Sequence, residues 1–180
     1  MSNIIYVDAW EHIKTMRDNS VDLILTDPPY KDKKKRQFVL DMNELRRICR
    51  GHIISFCDPR FRFFIPDEVA VWKKPESSKN ASKHLSCFFE EILVERHGNI
   101  YNYGLESANY NGFYYDMLCE KRIHPHQKPL SLLGRIIKIY SEPNALVFDP
   151  FAGSGSTISA ALLCGRRGLG CEIDTKWQSE

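Results

Sequence analysis

Asp27-Pro28-Pro29-Tyr30 is a tetrapeptide whose four residues could together hold one flat, amine-bearing ligand. Two successive prolines fix φ and keep the residues before them extended, so the segment cannot relax into a helix. They leave two carbonyls in a row with no N–H beside them, and Asp27 adds a carboxylate to that ledge of acceptors. Tyr30 offers an aromatic face at the far end. Such a site suits a planar group carrying NH2, with the amine on the acceptors and the ring on the tyrosine. Asp-Pro also opens ordinary strand-to-loop corners, so the tetrapeptide alone does not separate a binding site from a bend.

About 120 residues downstream, a separation typical of parts that only a single α/β fold brings together, lies a second constellation, Asp149-Pro150-Phe151-Ala152-Gly153-Ser154-Gly155. Glycines at 153 and 155 let backbone approach a ligand closely, and the small-residue helix that follows offers free N–H groups for a carboxylate. A lone Gly-x-Gly is weak evidence. This one is framed by strand and helix and begins with an acid, as a cofactor that joins a nucleoside to an amino acid would require. The binding candidates on this turn are Asp149, Phe151, Gly153, Ser154 and Gly155. Glu172 ends the next short apolar run at the spacing where α/β nucleotide sites grip ribose hydroxyls, and the alternative is a solvated acid at a strand end.

The elements that must position these residues are legible as runs of apolar, β-branched residues. Strands are predicted over 3–7, 21–26, 52–56, 69–73, 88–96, 145–148 and 169–173, and helices over 9–17, 38–49, 130–140 and 158–164. Gly51 reads as the stop of the second helix, and Pro129 suits the first turn of the third. Seven strands with helices between them make a three-layer α/β sheet the economical architecture. The tetrapeptide follows the 21–26 strand directly, so Asp27 would stand at a strand's carboxyl end, facing a crevice.

These motifs, together with His124-Pro125-His126-Gln127-Lys128-Pro129 and Glu172-Ile173-Asp174, resemble the S-adenosylmethionine-dependent amino DNA methyltransferases, which act on adenine N6 or cytosine N4. Because the catalytic tetrapeptide precedes the cofactor turn, the order looks like the circularly permuted β class. The resemblance implies a Rossmann-like methyltransferase fold of about seven mostly parallel strands, one of them antiparallel near an edge. It implies S-adenosyl-L-methionine as cofactor, and DNA as partner with its target base flipped or single-stranded. It gives Asp27, Pro28, Pro29 and Tyr30 the catalytic role, and an opening aspartate favours adenine N6 over cytosine N4. Asp8 would receive the cofactor's adenine amine and the Ala9 N–H would meet its ring, although Asp8 could equally do no more than cap a helix. Lys128 would pair with the cofactor's carboxylate.

The chain of 180 residues suits one domain: a catalytic half at about 1–97, a short recognition segment at about 98–123 and a cofactor-binding half at about 124–180. Members of the resembled family hold a larger recognition segment in this place. With so little chain available, the protein would read a very short context or borrow surface from another subunit, as a homodimer would. Tyrosines and asparagines in that segment could stack on bases or fold onto the body. A catalytically silent, nucleic-acid-binding subunit remains the competing class of function.

A net charge of +2 says little by itself about nucleic acid, but its distribution says more. Lys31, Lys33, Lys34, Lys35 and Arg36 follow Tyr30 immediately and would grip phosphates beside the base pocket, or form a solvated loop. Six cysteines without a Cys-x-x-Cys pair suggest buried thiols in a reducing compartment, and His124 with His126 lacks an evident third metal ligand. No metal is therefore expected. Nothing approaches the ~18 apolar residues of a membrane span, and positions 1–10 lack a signal-peptide pattern, so the expected location is cytoplasmic. Arginines and phenylalanines at 58–64 read as a short helix or turn packed on the core, residues 76–82 as an exposed loop, and Glu90, Glu91 and Glu95 as too spread out for paired-carboxylate chemistry.

Overall fold

A computed structural model describes residues 3–30, 38–73, 89–101, 113–115 (backbone only) and 128–177. In chain order these form β1 (Asn3–Tyr6), α1 (Ala9–Thr15), β2 (Val21–Thr26), α2 (Met42–Ile48), β3 (Cys49–Cys57), β4 (Glu68–Lys73), β5 (Phe89–Glu95), β6 (Phe113–Tyr115), α3 (Leu130–Tyr140), β7 (Leu146–Asp149), α4 (Ser156–Leu163) and β8 (Arg167–Glu172). The strands make one sheet in the order β1-β8-β7-β2-β3-β5-β4-β6. Among the described residues only β5 runs antiparallel to its neighbours, three places from one edge. The seven strands expected from the apolar runs are all present, and the short β6 adds an eighth from within the 98–123 segment.

Alternation along the central strand explains the three layers. Leu23 and Leu25 of β2 face one side, where α3 and α4 bring Leu133, Ile136, Ile137 and Ala161; Ile24 faces the other, against Ile13 of α1 and Leu45 and Ile48 of α2. All of these side chains are fully buried. β2 therefore reads as an almost unbroken apolar run because it is covered on both faces.

Two local expectations are corrected. Helix α2 begins at Met42 because the Asp41 carboxylate accepts from the N–H groups of Asn43 (3.2 Å) and Glu44 (3.3 Å), a capping pattern that outweighs the apolar periodicity upstream. Gly51 does not stop that helix. It lies inside β3, where an added Cβ would stand 1.9 Å from the Asp22 carbonyl oxygen of the adjoining β2, so close backbone approach is what requires glycine there. Of the two alternatives for residues 58–64 the structure takes the turn, in which the Phe61 N–H donates to the Asp58 carbonyl at 2.8 Å.

Gly51→Ala should therefore force β2 and β3 apart, costing about 2 to 3 kcal/mol and lowering Tm by roughly 5 to 10 °C. Thermal unfolding followed by circular dichroism measures this, and an unchanged Tm would show that the strands yield freely.

Candidate active site

Parallel pairing places the carboxyl ends of β2 and β7 side by side, with Leu23 opposite Val147 and Ile24 opposite Phe148. Just beyond the paired segment, the Thr26 hydroxyl donates to Asp149 Oδ1 across 2.7 Å, both residues buried. The two turns predicted to carry the chemistry thus leave neighbouring strands together. They open onto one cavity of about 690 Å3, lined by Asp27, Pro28, Pro29 and Tyr30 on one side and by Gly153, Ser154 and Glu172 on the other.

Each acid on the cofactor side also has a structural task. Asp149 Oδ1 accepts from the Phe151 N–H at 3.0 Å as well as from Thr26, which sets the start of the turn. Burial pushes the Asp149 carboxyl up to about 6, against hydrogen bonds from Thr157, Thr26 and Phe151 that favour its ionised form. Glu172 accepts from the Gly153 N–H through one oxygen and from the Asp174 N–H through the other, each at 2.8 Å. It closes the far side of the turn and lines the cavity as well. Gly155 caps α4 at φ 78°, a left-handed conformation that favours glycine, and no side chain caps that helix start.

A second cavity of about 370 Å3, lined by Asp8, Ala9, Trp10 and Phe38, shares Pro29, Phe151, Glu172 and Ile173 with the first. Phe151 meets Trp10 at 6.2 Å and Phe38 at 5.4 Å, both edge to face, so an aromatic floor runs beneath the junction. Asp8 does cap α1, accepting from the Trp10 N–H at 2.9 Å and the Glu11 N–H at 3.3 Å, while standing at the rim of this cavity. Capping and ligand binding are compatible there, because a carboxylate accepts more bonds than these.

On the opposite wall, the Tyr30 ring lies nearly parallel to Phe61 (6.3 Å, 15°) and to Phe63 (6.4 Å, 27°). Burial, reinforced by the charge of Asp27, raises the Tyr30 phenol well above its usual range and keeps it neutral. Phe61 lines the cavity, so it is more than core packing, whereas Phe63 is half-buried against the core as expected. Alternation of arginine with phenylalanine after β3 was the available signal: Arg62 turns outward to grip Glu91 through two bonds of 2.6 and 2.7 Å, leaving its neighbours to face inward.

Lys128 differs from expectation. Its ammonium is hydrogen-bonded to Asp27 Oδ2, at the cavity wall, and stands 3.1 Å from Glu90, which is buried. One cation already facing two carboxylates would offer the cofactor's carboxylate a net negative site, which disfavours the pairing expected for it. Glu90, Glu91 and Glu95 are each at least nine-tenths buried, partnered by Lys128, Arg62 and Arg46 respectively. Three acids on one apolar strand could be buried only with partners, and that was the overlooked signal. The cationic cluster, Lys31, Lys33, Lys34, Lys35 and Arg36, lies outside the described residues, as do 76–82 and His124 to Gln127. No described helix is long and apolar enough to cross a membrane.

An open sheet in this strand order, with two strand-end turns on one cleft, is that of an S-adenosylmethionine-dependent methyltransferase. The model of a family described as DNA methylase matches residues 38–179, and the chain belongs to this family of N6/N4 amino DNA methyltransferases. It is 30% identical to the putative methylase YubD of Escherichia coli (strain K12), over 96% of this chain and 85% of that one. It is 29% identical to the DNA adenine methyltransferase YhdJ of the same strain, over 97% and 79%. The crystal structure of the M1.HpyAVI-SAM complex superimposes with a TM-score of 0.74 at 28% identity, covering 98% of this chain and 96% of that one. The protein is a DNA methyltransferase that uses S-adenosylmethionine.

The Asp149 carboxyl is raised from an ordinary value of 3.8 to about 6, so folding favours its proton. The stability it contributes is present in full below pH ~4 and is lost as pH rises through about 6. Asp149→Asn keeps the oxygen that accepts from Thr26 and Phe151, and should remove that slope. The check is the difference in urea midpoint between variant and parent from pH 4 to 7. A difference that stays constant with pH would contradict the assignment.

Proposed function

We propose that the chain methylates the exocyclic N6 amine of adenine in DNA, with Asp27, Pro28, Pro29 and Tyr30 as the catalytic residues. The observation that carries this reading is the single cavity onto which Asp27 and the Gly153 turn both open. The donor set fits the cofactor. Acids stand at Asp8 and Glu172, an aromatic floor lies between them at Phe151, and the uncapped start of α4 offers backbone N–H groups. Asp8 and Ala9 would hold its adenine, Glu172 its ribose, and Phe151, Gly153, Ser154 and Gly155 its amino-acid end, with Asp149 fixing the turn. Bound there, S-adenosylmethionine supplies a methyl group on a positively charged sulfur.

The rest falls to the protein. An adenine amine is a poor nucleophile because its lone pair is delocalised into the ring. Accepting its hydrogens on the Asp27 carboxylate and the Pro28 carbonyl favours a pyramidal nitrogen whose lone pair is released toward the methyl. Asp27 then holds the proton that the nitrogen gives up after it gains carbon. A base within a duplex cannot reach the cavity, so the target enters flipped out or unpaired, and Tyr30 and Phe61 offer it aromatic faces. The five cations that follow Tyr30 in sequence would hold the phosphates. An opening aspartate and the 29% identity to a DNA adenine methyltransferase support adenine over cytosine.

Incubation with methyl-labelled S-adenosylmethionine and DNA, followed by digestion to nucleosides, should yield N6-methyldeoxyadenosine. N4-methyldeoxycytidine would overturn the choice of base, and unlabelled nucleosides the activity. Asp27→Ala should lower kcat by about a thousandfold or more while leaving cofactor affinity intact. Tyr30→Ala and Phe61→Ala should each weaken productive DNA binding by roughly 5- to 100-fold in kcat/KM. Steady-state kinetics with calorimetric cofactor titration reads all three, and an active Asp27→Ala variant would refute the catalytic assignment.

A further inference from the structure

Lys128 sits where a lysine is expensive. Its side chain is 7% exposed, and its nitrogen lies 5.0 Å from the centre of the Phe56 ring and 5.9 Å from that of Trp72. Burial among rings pulls its proton affinity down, but the charges of Asp27 and Glu90 outweigh this and hold it above the ordinary lysine range. It is therefore a fixed cation, bonded to the carboxylate assigned above to catalysis. Glu90 is equally buried, comes from the antiparallel β5, and does not line the cavity.

Such a cation alone would work against Asp27. A carboxylate beside an unshared ammonium is a weak acceptor, and accepting amine hydrogens is the task proposed for it. A second carboxylate on the same ammonium divides that attraction: with Asp27, Lys128 and Glu90 all ionised, the cluster carries one net negative charge. We propose that Lys128 and Glu90 are positioning residues for Asp27, the lysine fixing its carboxylate through Oδ2 and the glutamate balancing the lysine so that Asp27 keeps its charge for the target amine. The inference rests on the catalytic reading of Asp27. Among the described residues, the titratable groups that feel the charge of Asp27 include Tyr30 on the same turn and Asp149 at the end of β7. Neither is altered in the test below.

The acid limb of the pH profile of kcat/KM for methyl transfer reports protonation of Asp27 in the free enzyme. Glu90→Gln leaves the cluster neutral and should move that limb to lower pH, with a slower plateau. Lys128→Met leaves two carboxylates facing each other without a cation and should move it to higher pH; each shift should be about one pH unit or more. The double variant restores one net negative charge, and its limb should return toward that of the parent. Cofactor affinity by calorimetry should remain within about twofold in every variant, which also verifies folding.

A purely structural role would not produce shifts of opposite sign. Limbs that stay in place or move the same way in a methylating enzyme would overturn the proposal. So would loss of cofactor binding by a folded Lys128→Met variant, which would return the lysine to the cofactor's carboxylate. Should Lys128→Met not fold, Glu90→Gln decides alone, a lower limb supporting the inference and an unmoved one overturning it. A parent chain that transfers no methyl group would refute the reading of Asp27 itself.

Discussion

The hydrogen bond from Thr26 to Asp149 ties the ends of β2 and β7 together, 123 residues apart in the chain, and the candidate active cleft depends on that junction. Parallel strands deliver their carboxyl ends to the same edge of a sheet, so whatever follows two adjacent strands must share a crevice. Here the rigid Pro-Pro segment follows one strand and the glycine turn the other. The bond between them is buried, and water does not compete for it. Asp149 serves this junction first. It is the hinge pin of the cleft, and its raised proton affinity is a consequence of being enclosed there.

Around the junction, the buried glutamates and the buried lysine each have a partner of opposite charge. β5 carries three acids into the interior, two answered by the outward-reaching forks of Arg46 and Arg62 and one by the enclosed ammonium of Lys128. The arginine pairs are half exposed on the cationic side, where water screens them, and their worth lies in satisfying acids that would otherwise be stranded. Lys128 has no such outlet. Its place between Asp27 and Glu90 links the antiparallel part of the sheet to the wall of the cleft.

How much of this was legible in the sequence follows from where the information lies. The strand before Asp27 and the strand before the glycine turn are buried on both faces, so each announces itself as a short apolar run with candidate site residues at its end. What could not be read is the partner of each buried charge. Glu90 gives no local sign of which cation answers it, and nothing beside Lys128 in the sequence shows that Asp27 and Glu90 meet it in space. Gly51 misled for a related reason: beside a helix it reads as a stop, and only the carbonyl of Asp22 on the neighbouring strand shows why it lacks a side chain. Phe61 belonged to a stretch whose alternating pattern made sense once Tyr30 stood beside it.

The central claim is a meeting of two groups in one cleft, and a crystal structure of the chain with S-adenosylmethionine tests it most directly. Electron density for the adenosine beside Asp8 and Glu172, with the sulfonium methyl aimed across the cavity toward Asp27 and the Pro28 carbonyl, is the predicted result. A cofactor bound with that methyl turned away from Asp27, or bound elsewhere on the molecule, would contradict it.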